Sequence, residues 1–401
     1  MAIPCSFTVL DDCSNLASWT AAIGSGCAVT ETDEFVINGT SSFRLTLPAV
    51  GGAPRIDLTK DIAHSFKSDD RLGVLVYVPF KPINSTSGLI MFGSDQVNLG
   101  SGGVGRWQRA FGSTGGIGVE SQGWQLVPIQ FEDTAVTSGA PTRAMDYLSM
   151  RAQITASATV ARDMVIDSIV RWNQRPTVVI QFDDGHASAY SEGWAYANPR
   201  GIPLTHFLIS ELMDQGSYVT TAQALEMHTS GDTIGSHGLA TESWEYQAET
   251  AIQRDTDALQ QRIGLKLSHG AYPNGGYGQS LGNYSQVQEF VRRAGLATCR
   301  TVNKAVALSG CFSPYTLPAT LNLQTGVSLA DAKAEIDRCI KLRTTCIVIG
   351  HKLDAAADAS QWAISDWQAL IDYIVALKRH GCLDTLNMDQ WFSGNRPAAS
   401  R

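Results

Sequence analysis

The 401-residue sequence lacks any apolar run of about 18 residues, which excludes a membrane-spanning helix. It also lacks an excess of positive charge. Lys and Arg number 30 against 38 Asp and Glu, for a net charge of -8. That balance argues against nucleic acid or an anionic membrane as the main partner and leaves a neutral or polar ligand. The start, Met1-Ala2-Ile3-Pro4-Cys5-Ser6, has neither a basic region nor an apolar core and does not read as a secretory signal, so synthesis in the cytoplasm is expected. The eight cysteines (Cys5, Cys13, Cys27, Cys299, Cys311, Cys339, Cys346 and Cys382) form no CxxC pair, which argues against a cysteine-rich zinc site. They read as buried free thiols of a reducing compartment, with a disulfide among the first three left open.

What is present falls into two halves. Hydrophobic residues at 44% and charged residues at 17% suit globular domains, and the length allows two or three. Residues 1–172 are rich in Gly, Ser and Thr, with short alternating runs such as Phe43 to Leu47 and Leu148 to Ile154. Further strands are expected at 72–78, 89–92, 124–131 and 164–170, and no helical period appears. Many short strands at this spacing predict a β-sandwich, jelly-roll-like. Tyr77, Trp107, Phe111 and Trp124 either stack on sugar rings or fill the core, the core being the commoner fate. Arg171-Trp172-Asn173-Gln174-Arg175-Pro176 is the expected boundary.

From residue 173 to 401 strands and helices alternate. Strands are expected at 178–182, 203–209, 233–236 and 346–349. Helices are expected at 187–198, 220–228, 251–263, 285–294, 329–342 and 366–378. Alternation of this kind predicts an α/β domain of parallel strands with helical crossovers. Asp183, His237 and His351 each follow a strand, the end at which barrel sites lie.

Asp183-Asp184-Gly185 is the sharpest feature. Two carboxylates where a buried strand ends repel each other unless a cation or a shared proton intervenes. Taken alone it is an Asp-Asp-Gly turn. His237, in Ile234-Gly235-Ser236-His237, would alone be a turn histidine. Gly270-Ala271-Tyr272-Pro273-Asn274-Gly275 is at least a Pro-Asn-Gly turn. Ile347-Val348-Ile349-Gly350-His351 is an apolar strand ending in His.

In this order the four stretches resemble the motifs of the polysaccharide deacetylase family, over about Arg175 to Trp391. The resemblance implies a distorted (β/α)7 barrel and a hydrolase that removes acetyl groups from a polysaccharide. It implies Asp183 as general base, Asp184 and His237 as ligands of a divalent metal, commonly zinc, and His351 as general acid. Tyr272 would supply a backbone amide to the oxyanion, with Pro273 lining the groove. The third metal ligand, a histidine in the family, falls on Thr241, a poor ligand. Thr241 would then position a water, Glu242 or His186 would substitute, or metal would bind weakly or not at all. The loop 270–276 also lacks the family's arginine that steadies the base. Arg300 is either near the site or structural. His206, His228, His269 and His380 have no motif and are read as structural.

The first half is similar in architecture to β-rich modules that precede catalytic domains in carbohydrate enzymes and phage tail proteins. A sugar-polymer enzyme without an export signal is expected in a phage virion or released by lysis. There it would act on acetylated O-antigen or capsule, with further copies of itself or other virion proteins as partners. The rival reading is a deacetylase-fold carbohydrate-binding protein that is weak or inactive as an enzyme. Motifs alone do not separate O- from N-deacetylation.

Overall fold

A computed structural model describes residues 7–48, 54–66, 71–78, 86–93, 107–112, 123–129, 135–136, 145–154, 161–310, 313–355 and 361–394. The chain divides into two compact units, Phe7–Asn173 and Gln174–Arg401.

The first unit holds two antiparallel sheets. One runs Ala28–Thr32, Ser42–Leu47, Arg162–Trp172, Arg71–Val78, Gly123–Ile129, with Phe7–Asp11 also paired to Arg162–Trp172. The other runs Ala135–Val136, Trp107–Gly112, Thr86–Gly93, Met145–Ile154, Arg55–Phe66, Thr20–Ile23. Leu45, Val74 and Ile166 of one sheet and Ile56, Leu58, Leu148 and Met150 of the other share one apolar cluster. The region is β-rich as expected, but nothing in it identifies a jelly roll. Tyr77 and Trp124 are core residues: Tyr77 stacks on Phe35 at 4.0 Å, and Trp124 meets Tyr77 edge-on at 5.3 Å. The side chains of Trp107 and Phe111 lie outside the described residues.

The second unit is built on parallel strands in the order Thr298–Lys304, His269–Ala271, Thr233–Ser236, Leu204–Leu208, Thr177–Phe182, Thr345–Gly350. Two short strands finish the ends. Leu317–Ala319 pairs with Thr298–Lys304, and Leu321–Asn322 pairs with Thr345–Gly350. Only Thr320 separates these two, so one run of chain touches both edges and the sheet is barrel-like and nearly closed. Val178, Val179, Ile180 and Phe182 are buried on the central strand, the continuous apolar run that a parallel strand covered on both faces requires. Capping boxes start the helices Thr221–Thr229 (Thr220 with Gln223) and Leu329–Leu342 (Ser328 with Asp331).

The helix expected at 187–198 is replaced by a π-helical turn, Ala189–Trp194, then one short α-turn and a 3-10 turn. Gly193 explains the wide turn. A Cβ there would lie 2.9 Å from the Phe182 ring, so the backbone rests directly on that ring. At the opposite end of the strands the C-terminal helix Met388–Ser393 is fastened to the sheet. Met388 N–H donates to Thr205 Oγ1 (3.0 Å), Trp391 Nε1 to Thr345 Oγ1 (3.0 Å), and Asp389 Oδ1 meets His269 Nε2 (3.0 Å). His206 is likewise held by buried Asp232 at 3.0 Å. Both histidines serve structure.

Candidate active site

The site is assembled where Thr177–Phe182 and Thr345–Gly350 end together. Asp183 N–H donates to Gly350 O at 2.9 Å, which locks the two strand ends side by side. The chain then turns hard. Asp184 and Gly185 both adopt left-handed backbone, φ 67° and 74°, a conformation that Asp tolerates and Gly takes freely.

Asp183 is almost wholly buried, and both its oxygens accept hydrogen bonds from Arg300 Nη2, the one to Oδ1 at 2.6 Å. Arg300 is equally buried and lies over the Phe207 ring, 5.6 Å from its centre. Gly235 makes room for that ring, since a Cβ there would come within 2.6 Å of it. Burial pushes the Asp183 carboxyl up. The Arg300 guanidinium, helped by His237 and His351, outweighs burial and holds it below the ordinary carboxylate range. On its other side Asp183 Oδ2 faces His351 Nε2 at 4.0 Å. His351 is partly exposed, and its Nδ1 is buried without a hydrogen-bond partner among the described residues.

Asp184 stands between two imidazoles, with His237 Nε2 3.5 Å from Oδ1 and His186 Nε2 3.5 Å from Oδ2. His237 Nδ1 contacts Ala271 O at 2.9 Å. A carbonyl only accepts, so in a neutral ring this contact puts the proton on Nδ1 and turns the Nε2 lone pair toward a carboxylate oxygen. Two acceptors that face each other repel unless a proton or cation lies between them. Burial raises the Asp184 carboxyl, yet the hydrogen bond from His186 and the charges of His237, His351 and His186 bring it below the usual range. His186 is itself stacked on Tyr218 at 5.1 Å.

Among the described residues no group of three or more His, Cys, Asp or Glu side chains is arranged to hold a metal ion. Thr241 is exposed, and the contact it makes is through its carbonyl, which accepts from Asn274 Nδ2 at 2.6 Å. Glu242 is exposed and hydrogen-bonded to Gln247. Asp184 and His237 therefore offer a cation two protein donors, fewer than the three usual in a catalytic zinc site.

The loop 270–276 borders the same space. A Cβ on Gly238, just past His237, would lie 3.2 Å from Pro273 Cγ, so the two loops meet closely. Tyr272 corrects its expectation. Its N–H donates to Arg300 O at 3.0 Å, continuing the strand pairing, and is not available to a ligand. Asn274, at φ 54°, is exposed in the turn that follows, and its N–H has no acceptor among the described residues. The strand pattern therefore brings Asp183, Asp184, His237 and His351 together and leaves the Thr241 hydroxyl outside that group. Arg300, buried against Asp183, had one signal in the sequence: paired carboxylates with no arginine in the nearby loop need a cation from elsewhere.

Residues 171–291 match the family model described as polysaccharide deacetylase. The match covers less than a third of the chain. No curated protein matches the sequence. Similar solved structures include the Streptococcus pyogenes deacetylase PplD in complex with acetate, at 18% identity over 39% of this chain and 69% of that one, TM-score 0.35. IcaB from Ammonifex degensii is 24% identical over 39% and 72%, TM-score 0.32. A family 4 acetyl xylan esterase from Clostridium thermocellum in complex with a cobalt ion is 12% identical over 54% and 90%, TM-score 0.37. At these scores none of them bears on what this chain does.

Proposed function

We propose that the domain is a hydrolase that removes acetyl groups from a bacterial surface polysaccharide, O-antigen or capsule, with a divalent metal, zinc by preference. One observation carries the reading: a buried, ionised Asp183 lies between the Asp184–His237 pair and His351 at one end of the strands. Asp183 takes a proton from the attacking water, whose oxygen bonds to the acetyl carbon. His351 gives a proton to the departing sugar oxygen or nitrogen, and acetate leaves. When bound between Asp184 and His237, the cation lowers the pKa of water and polarises the carbonyl. Pro273 borders the groove.

The two-donor site favours a second reading, a carbohydrate binder with little activity. Acetate release from acetylated bacterial surface polysaccharides, with chelator and with added zinc, cobalt or manganese, separates the two. Release that chelator stops supports the hydrolase. Polymer binding without release under any metal overturns it. The setting, a phage virion or release by lysis with self or virion partners, is part of the same proposal. It is tested by asking whether the protein co-purifies with virions.

A further inference from the structure

One flank of the second unit lacks its helix. The strands Thr177–Phe182, Leu204–Leu208, Thr233–Ser236, His269–Ala271 and Thr345–Gly350 are each followed by a helix or helical turn, but none is described between Thr298–Lys304 and Leu317–Ala319. A cleft of about 590 Å³ lies there, between the strand end at Val302 and Lys304, the run 319–322 and the helix Leu329–Leu342. That volume is in the range of a small-ligand site. The cleft adjoins the candidate active site. Asn322 pairs with Ile349, two residues before His351, and a Cβ on Gly275, in the loop that borders the site, would collide with Val302. We propose that the cleft is a second saccharide site, which holds a sugar from a neighbouring repeat of the polymer while the acetyl group is removed elsewhere. This rests on the deacetylase reading.

The lining selects the ligand. Its charged groups come in both signs, Lys304 and Arg338 against Asp331 and Glu335, and the carboxylates are engaged. Glu335 accepts from Arg338 Nε at 3.0 Å, and Asp331 accepts from Ser328 N–H at 3.1 Å. That balance disfavours a polyanion and suits a neutral ligand. Val302, Ala319 and Leu321 add aliphatic surface, which the C–H face of a pyranose can cover. Two amides supply polar contacts. Asn322 Nδ2 donates to Gln324 Oε1 at 3.2 Å, while Asn322 Oδ1 is buried with no partner among the described residues. Turning both amides round keeps the bond and leaves Asn322 Nδ2 unpaired instead. Either way one buried amide atom lacks a partner, and a sugar hydroxyl, donor and acceptor at once, provides it. Val302 is 48% exposed although it stands on a strand, as expected where a ligand completes its cover.

Ala334 is exposed on the helix side of the cleft, so Ala334→Trp fills the space without entering the core. Acetate release is measured for the parent, Ala334→Trp and Asn322→Ala. The substrates are acetylated bacterial capsular and O-antigen polysaccharides, intact and cut enzymatically to single repeats. Both variants should raise KM for intact polymer by about tenfold, keep kcat within about twofold and leave single repeats unchanged. Asn322→Ala should leave the thermal midpoint within about 2 °C of the parent, because the amide atom it removes has no partner to lose. Native gels cast with intact polymer read the cleft without catalysis. There the parent should be retarded and Ala334→Trp less so. Should Ala334→Trp fail to fold, Asn322→Ala decides. Parent-like KM and retardation in the folded variants overturn the cleft, and so does an equal loss on polymer and single repeats. Absence of release from the parent under every metal overturns the deacetylase reading instead, and the gels then judge the cleft alone.

Discussion

Asp167 in the first unit and Asp183 in the second are both almost completely buried, and the two are solved in opposite ways. Asp167, in the first unit, accepts from Ile37 N–H (2.7 Å), Asn38 N–H (3.2 Å) and Ser42 Oγ (3.2 Å) on one oxygen, and from Asn38 Nδ2 (3.1 Å) and Ser168 Oγ (2.8 Å) on the other. Every donor is neutral. Burial wins, and the carboxyl is pushed above its ordinary range. Asp183 has one partner side chain, but it is a guanidinium, and there the charge wins over burial. Asp167 is saturated and ties the 37–42 segment to its strand. Asp183 is gripped on one side and left open on the other. Hydrogen-bond number makes a buried carboxylate structural, whereas a cation and a free face make it reactive.

Exchanging roles should be impossible, and the largest effect tests that. Asp183→Asn should lower acetate release by about a hundredfold to ten-thousandfold while the far-ultraviolet circular dichroism stays native, and His351→Ala should lose about a hundredfold. Asp167→Asn should leave release unchanged. Asp167→Ala, which orphans five donors, should cost on the order of 3 kcal/mol in the first unit by denaturant unfolding. Undiminished release from Asp183→Asn would break the comparison. A smaller effect concerns the cation. Calorimetric titration of metal-free protein with zinc should show roughly a hundredfold weaker binding in His237→Ala and no change in Thr241→Ala, while Thr241→His, which adds a third donor, should tighten it by about tenfold or more.

Much of this arrangement is legible in the chain because strand ends are legible. Apolar runs at 178–182 and 346–349, and a short strand at 233–236, deliver Asp183, His351 and His237 to one end of a parallel sheet, whatever the details between. Strands of two or three residues, such as His269–Ala271 and Leu321–Asn322, are too short to carry a period. The longer Arg55–Phe66 has one, with Ile56, Leu58 and Ile62 inward, yet its charged residues mask it. What no window can contain is pairing across distance. Arg300 and Asp183 are 117 positions apart, and the loss of the Tyr272 amide depends on which strand lies beside it. The π-turn at Ala189–Trp194 likewise depends on the Phe182 ring beneath Gly193.

The smallest effect is also the sharpest form of the comparison, because the two aspartates should respond to acid with opposite sign. The ordinary unfolded carboxylate titrates near about 3.9. Asp167 has its folded value raised above that, so its contribution to stability is complete below about pH 3.9 and is lost as pH rises through the folded value. Asp183 has its folded value depressed, so its contribution is present above about pH 3.9 and is lost as pH falls through that lower value. Asp167→Asn cannot ionise. Measured against the parent, its midpoint should therefore improve as pH is raised from about 4 to 7. Asp183→Asn should do worst against the parent near neutrality and close the gap on acidification. The check is thermal unfolding of both variants and the parent from about pH 2 to 7, which takes in the acid side where Asp183 titrates, each transition assigned to its unit by limited proteolysis. Two curves that move in the same direction would show that the neutral donors around Asp167 stabilise its charge as well as a guanidinium does, and the distinction between the two sites would lose its physical basis.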